Sequence, residues 1–336
     1  MTPLPRPVTA HAYARAGLIG NPSDGYHGKT IAVPVKNFVA KVSLEPSDEL
    51  VIAPHQSDTV RCGSLQELAE QTRRFGYYGG LRLMQAAIVV FWDYCRSQGI
   101  AGASANFRLR YRSDIPRLVG LAGSSALVTA CLKALAAYYR TDIPLPVLAN
   151  LALVAERDQL GIAAGLQDRV VQAYESLVYM DFSPALMERQ GYGDYRPIDP
   201  RLLPPLYLAY DSACAEGSER THNTLRARFD ARDELVVDAM SRLAELAEQA
   251  YTLLQDGHPL ELKPLMNRGF DLRRSICTIA PAHLRMIETA QAAGASAQFA
   301  GSGGAIIGIY DDEAMYGRLQ TELAAIGCSV ILPLVR

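Results

Sequence analysis

At 336 residues the chain is longer than one hydrophobic core ordinarily supports, so two domains are expected. A composition 49% hydrophobic and 20% charged is that of a soluble globular protein, and a formal net charge of −2 gives no electrostatic case for a nucleic-acid or membrane partner. The longest apolar run, around Ala86 to Trp92, is far short of the ~20 residues that cross a bilayer.

No basic-then-apolar leader opens the chain. Its cysteines (Cys62, Cys95, Cys131, Cys214, Cys277, Cys328) stand far apart, which suits reduced thiols in the cytoplasm better than a disulfide frame.

Taken in order, the first expected element is a strand over Ala12 to Ile19, broken by the turn cluster Gly20-Asn21-Pro22-Ser23-Asp24-Gly25. Thr30 to Val35, Phe38 to Leu44 and Glu49 to Ala53 are rich in β-branched residues, so an antiparallel sheet is expected in the first fifty residues. Ser64 to Phe75 reads as a helix capped by Ser64, and Gly80 to Arg96 as a second, largely buried one. Asn106 to Ser113 sets Phe107, Leu109 and Tyr111 on one face and Arg108, Arg110 and Arg112 on the other, the alternation of a half-exposed strand. A glycine-rich turn then leads into a helix to about Tyr139. A further helix covers Pro144 to Asp158, a loop Gly161 to Asp168 and a strand Leu177 to Phe182.

Four prolines between Asp194 and Pro205 mark the expected domain boundary, placed at 198/199, because few residues there can sustain regular pairing. Beyond it come a strand (Leu206 to Asp211) and helices over Asp233 to Gln255, Pro259 to Cys277 and Pro281 to Ala293. The chain closes with strand Ala297 to Ala300, the turn Gly301-Ser302-Gly303-Gly304, strand Ala305 to Tyr310, helix Glu313 to Ile326 and strand Ser329 to Leu334. The mixture is α+β.

Four features could carry chemistry. In Pro116-Arg117-Leu118-Val119-Gly120-Leu121-Ala122-Gly123-Ser124-Ser125-Ala126, two glycines allow a tight turn, and Ser124 or Ser125 can cap the helix that follows. Such a turn is either an ordinary capped helix or a phosphate cradle built on a helix N-terminus. Glu156 and Asp168 are either two surface acids or the paired carboxylates of a magnesium-dependent phosphoryl transfer. Gly301 to Gly304 bring backbone close to a ligand or merely to a neighbouring strand. Arg15 either points to solvent or lies beside phosphate or Asp168. His27-Gly28-Lys29-Thr30 ends like a P-loop, but Ser23 stands where that motif needs a glycine, and a strand rather than a helix follows.

Three of these segments, in this order, resemble the GHMP kinase superfamily of sugar and mevalonate kinases. They are Ala14-Arg15-Ala16-Gly17-Leu18-Ile19-Gly20, Pro116 to Ala126, and Phe299-Ala300-Gly301-Ser302-Gly303-Gly304-Ala305. Within it the chain most closely resembles the glucuronokinase family. That likeness runs through Gly20 to Asp24, Ile115 to Arg117, Gly161 to Arg169, Leu177 to Phe182, Leu202 to Leu206 and Asn267 to Arg274.

The resemblance implies a two-domain fold, with an N-terminal domain like domain 2 of ribosomal protein S5 (1–198) and a ferredoxin-like C-terminal α/β sandwich (199–336). It implies an ATP- and Mg2+-dependent enzyme that phosphorylates the C1 hydroxyl of a sugar acid, D-glucuronate above all. The alternatives are a neutral-sugar kinase or a non-catalytic sensor on the same fold.

By the same resemblance, Asp168 faces the sugar hydroxyl with Arg15 beside it. Pro116, Gly120, Leu121, Ala122, Gly123, Ser124, Ser125 and Ala126 hold the nucleotide phosphates. Ser125 and Glu156 are magnesium ligands, with Ser124 the neighbouring alternative to Ser125. Asp24 holds sugar hydroxyls, Gly301, Ser302, Gly303 and Gly304 close the site, and Arg117, Arg273 or Arg274 would read a carboxylate. A small-molecule sugar acid and ATP would be its partners, in a monomer or homodimer. Two departures stand out: Gly20-Asn21-Pro22 replaces the family's Gly-Glu-His, and Ala122 stands where glycine or serine is usual.

Overall fold

A computed structural model describes residues 6–53, 79–100, 105–211 and 219–336. The helix expected over Ser64 to Phe75, Cys62 and Cys214 lie outside the described residues. The fold is α+β, built on two sheets.

Strand β1 (Val8–Ile19) pairs antiparallel with β2 (Lys29–Pro46) along almost its whole length. The two strands expected at 30–35 and 38–44 are therefore one. Lys36 and Asn37 form a bulge in it, where the register jumps from Tyr13↔Val39 to Ala14↔Val35. The C-terminal tail ties that bulge down: Lys36 N–H donates to the Leu334 carbonyl (2.8 Å), and Asn37 exchanges hydrogen bonds with Leu332 and Leu334.

The other edge of β2 is shared. Its second half pairs with β4 (Phe107–Ser113), whose Phe107, Leu109 and Tyr111 are buried as the alternation predicts, and its start pairs with β5 (Val178–Asp181). The short β3 (Val51–Ile52) pairs with β4 in parallel, not antiparallel as expected. The proline-rich stretch also departs from expectation, because its first four residues form β6 (Asp194–Pro197) on the edge of β5. Pro197 takes the last position of that strand and Pro200 opens a 3-10 turn, so neither removes an interior ladder bond.

Helices α1 (Gly80–Ser97), α2 (Gly123–Tyr139), α3 (Leu145–Val154) and α4 (Gln167–Tyr174) cover one face of this sheet. Helix α3 runs on into a π turn, Ala155–Gln159. A short α5 (Pro184–Gln190) was not expected.

The second sheet contains β7 (Leu206–Tyr210), β8 (Gln298–Phe299), β9 (Ala305–Ile309) and β10 (Ser329–Ile331), in the order β10-β7-β9-β8. Fourth, first, third, second in chain order is the arrangement of a ferredoxin-like sandwich. Its helices are α6 (Glu219–Asp230), α7 (Glu234–Gln255), α8 (Leu262–Ile276), α9 (Pro281–Ala292) and α10 (Glu313–Ala325).

The chain changes sheets between Pro197 and Leu206, yet the apolar core does not divide there. Leu206, Leu208, Leu246, Ala300 and Ile307 belong to the same buried cluster as Ala14, Ala16 and Leu18 of β1. Both halves press on β1, so from Ala14 to its end the strand is buried on both faces. Among the described residues, no helix is long and apolar enough to cross a membrane. Cys95, Cys131 and Cys328 are buried free thiols, and Cys277 is half-buried.

Candidate active site

The glycine-rich turn folds through three left-handed residues, Leu118 (φ 59°), Gly120 (φ 77°) and Ala122 (φ 60°). Helix α2 begins at Gly123 with Ala122 in the cap position and no side-chain cap, so neither Ser124 nor Ser125 caps it. The Ala122 carbonyl instead accepts from Ala126 N–H (3.1 Å), Ser125 Oγ (3.1 Å) and Gln172 Nε2 (2.9 Å), which pins the turn from three sides. The first-turn N–H groups of a helix have no partner within it and sit at its positive end, an arrangement suited to phosphate.

Beside this turn runs a chain of charges. Glu156 is fully buried on the π turn. One of its oxygens accepts from Ser124 Oγ (2.8 Å), and the other accepts from Arg169 Nε (2.9 Å) and Nη2. Arg169 Nη1 donates to the Gly165 carbonyl (2.7 Å) and lies 3.3 Å from Asp168 Oδ2. The other Asp168 oxygen, Oδ1, is 2.5 Å from Arg15 Nη2. Arg15 Nη1 completes the line, donating to the carbonyls of Ala300 (2.5 Å) and Gly120 (3.4 Å).

Three of the four features thus converge on one line, and the bland readings of Arg15 as solvent-facing and of the acids as surface groups are overturned. A completely buried carboxylate requires a cation. That requirement is the signal that could have singled out Arg169, to which no role fell in the sequence. Burial works against the Arg169 charge, but Glu156, Asp168 and Asp24 outweigh it and hold the group above its ordinary value.

The 3-10 turn Ser23–Tyr26 carries Asp24 to the same place. Asp24 Oδ2 accepts from Gln167 N–H (3.3 Å) and fills the space over Gly165, where a Cβ would lie 2.1 Å from it. Burial, reinforced by the charge of Asp168, pushes the Asp24 carboxyl up to about 6.

The fourth feature, Gly301 to Gly304, packs directly on the glycine-rich turn. A Cβ on Gly301 would lie 2.1 Å from the Gly120 carbonyl oxygen, and one on Gly120 would lie 2.8 Å from the Gly303 oxygen. Only two backbones without side chains approach this closely.

The three arginines expected to read a carboxylate are differently placed. Arg273 is buried, stacks 4.9 Å from the Phe299 ring centroid and donates to the carbonyls of Gly301 (2.7 Å) and Ser302 (3.1 Å). It shapes the loop from beneath rather than reaching for a carboxylate. Arg274 lies on the exposed face of α8, 3.9 Å from Glu288. Arg117 is exposed beside the turn. Ser125 is also corrected: it is buried with its hydroxyl on Ala122, whereas Ser124, the alternative, bonds Glu156. Lys29 opens strand β2, as the expected strand after His27-Gly28 implies, and lies 2.7 Å from Glu248.

Among the described residues no group of three or more His, Cys, Asp or Glu side chains could hold a metal ion. Ser124 Oγ and Glu156 Oε1 do offer two hard oxygens at the mouth of the turn. One or two protein oxygens completed by phosphate oxygens and water is the habit of Mg2+, so the donor set fits that ion.

Residues 83–176 match the family model described as the GHMP kinases N terminal domain. The chain is 44% identical over 323 residues to "Probable glucuronokinase 2" of Arabidopsis thaliana, spanning 91% of this chain and 88% of that protein. It is 43% identical over 306 residues to "Glucuronokinase 1" of the same plant, spanning 89% and 84%. In fold it is similar to the Streptococcus pneumoniae phosphomevalonate kinase in complex with phosphomevalonate and AMPPNP, with TM-score 0.76, 16% identity, and coverage of 96% of this chain and 98% of that one.

Proposed function

This chain belongs to the GHMP kinases, in their glucuronokinase branch, and from that premise we propose that it transfers the γ-phosphoryl group of ATP to the C1 hydroxyl of D-glucuronate. The products are glucuronate 1-phosphate and ADP. The observation that carries the reading is the unbroken line Ser124–Glu156–Arg169–Asp168–Arg15, which ends on both glycine loops at once. Its division of labour follows from position. A first domain (1–198) holds the phosphates and the charge line, and a second (199–336) closes over them with Gly301 to Gly304.

The N–H groups at the start of α2, with Gly120 to Ser124, hold the triphosphate tail. Asp168 accepts the hydrogen bond of the C1 hydroxyl and aims its oxygen at the γ-phosphorus. As the new O–P bond forms, the bond to the β–γ bridging oxygen breaks and ADP leaves, while the hydroxyl proton passes toward Asp168. Arg15, bonded to Asp168 and to the loop backbone, keeps the acid at its station and offers positive charge to the transferring group. Ser124 and Glu156 would hold Mg2+, which would supply neutralising charge to the phosphates. Asp24 holds sugar hydroxyls on the side away from the nucleotide. Catalysis of this kind is mainly positioning and electrostatics.

The test is ADP release with Mg2+, ATP and a panel of sugars and sugar acids, run for the unaltered protein and Asp168→Asn. We expect turnover with glucuronate that falls at least ~10²-fold in the variant, the scale of general-base contributions. Undiminished turnover in Asp168→Asn removes that residue from the mechanism.

A further inference from the structure

We propose that Arg226, on helix α6, reads the carboxylate of the sugar acid and so sets the enzyme's preference for acids over neutral sugars; this rests on the substrate reading above. A hexuronic acid differs from its parent sugar only at C6, which is carried outside the ring on C5, across the ring oxygen from C1. A site selective for it needs a cation on the ring-oxygen side of the sugar, near the group that faces C1 but not committed to it. Three guanidiniums of the site proper are already committed: Arg15 and Arg169 to carboxylates and backbone carbonyls, and Arg273 to the second loop.

Arg226 is differently placed. Its Nη2 donates to the Gly25 carbonyl, one residue from Asp24, and its guanidinium lies 4.6 Å from the centroid of the Tyr26 ring. Tyr26 also packs against Phe229 at 4.9 Å, one turn along the same helix, so α6 holds the ring at two points. The side chain remains 47% exposed, and its ion pair with Asp230 is a loose 3.6 Å contact between exposed groups, of small worth.

Gly25 keeps the ground before it clear: a Cβ there would meet nothing nearer than Arg226 Nη2, at 4.0 Å. The result is a planar fork, held in orientation by an aromatic face and a backbone carbonyl, at the outer end of the turn that brings Asp24 beside Asp168. Planar, pre-oriented guanidinium suits bidentate recognition of a carboxylate.

The experiment compares D-glucuronate with D-glucuronamide, which has the same ring without the charge, each as substrate or competitive inhibitor of the full-length enzyme. For Arg226→Gln we expect the KM for glucuronate to rise roughly 10- to 100-fold, the scale of a hydrogen bond to a charged group. The constant for glucuronamide and the KM for ATP should each move less than about two-fold by the same reasoning. Arg226→Lys, which keeps the charge but loses the fork, should fall between. Equal losses for acid and amide, or an unchanged glucuronate KM in Arg226→Gln, overturn the assignment. Failure of the unaltered enzyme to phosphorylate glucuronate overturns the substrate reading beneath it instead.

Discussion

Replacing Asp24 by asparagine should stabilise the ligand-free protein near neutral pH while weakening sugar binding. In the folded chain this carboxyl is raised from 3.8 to about 6, chiefly by burial and then by the charge of Asp168. At 1.36 kcal/mol per pH unit, an ionised Asp24 costs the fold about 3 kcal/mol at most. The sign follows from linkage. The folded state holds this proton more tightly than the unfolded one, so the group is harmless below pH ~4 and its penalty grows as pH rises through about 6. An amide of the same shape keeps the acceptor for Gln167 N–H but pays its own desolvation, leaving a net gain of about 1–2 kcal/mol. At ~2.1 cal/mol/K per residue that is only about 1.5–3 °C in Tm for a chain of 336 residues, so the urea midpoint is the more sensitive reading. The assay is thermal and urea unfolding of both proteins from pH 4 to pH 8 without ligands. The gap should be largest above pH 7 and close toward pH 4. A variant less stable at pH 7.5, or a gap that widens as pH falls, refutes the reasoning.

Gly301→Ala should lower kcat/KM for both substrates by about 10²-fold or more with the fold retained, because the new Cβ would lie 2.1 Å from the Gly120 carbonyl and two backbones must part. Steady-state kinetics beside circular dichroism checks it, and near-native kinetics would mean the loops part freely. Ala122→Gly should be neutral or stabilising by up to about 1 kcal/mol in denaturant unfolding, since alanine at φ 60° is strained and glycine is not, less the chain entropy that glycine adds. Clear destabilisation would contradict the left-handed turn. Arg169→Met should cost about 3–5 kcal/mol by leaving Glu156 buried without its cation, and adding Glu156→Gln should recover part of that loss. Strictly additive losses would show that the two are not coupled.

Much of this site was legible in the sequence because its parts are local. Gly120, Gly123 and the serines announce a turn before a helix, and Gly301 to Gly304 announce a close backbone approach. The alternation over Phe107 to Ser113 predicts which face is buried, and it is.

What could not be read was which partners distant residues choose. Arg15 looks like a polar-face residue until both halves of the molecule bury β1. Arg273 looks like a free cation until the Gly301 carbonyl takes it. Ser124 and Ser125 are interchangeable by spacing, and only the left-handed turn at Ala122 decides which of them meets Glu156. The bulge at Lys36-Asn37 misled for a similar reason: the tail residues that hold it open lie nearly three hundred positions away.

The most direct test is phosphorus NMR of the product formed from D-glucuronate, Mg2+ and ATP. The account predicts one new phosphomonoester resonance coupled to the anomeric proton, growing in step with ADP. A phosphate on any other ring oxygen, or stoichiometric product from neutral sugars with none from glucuronate, contradicts it.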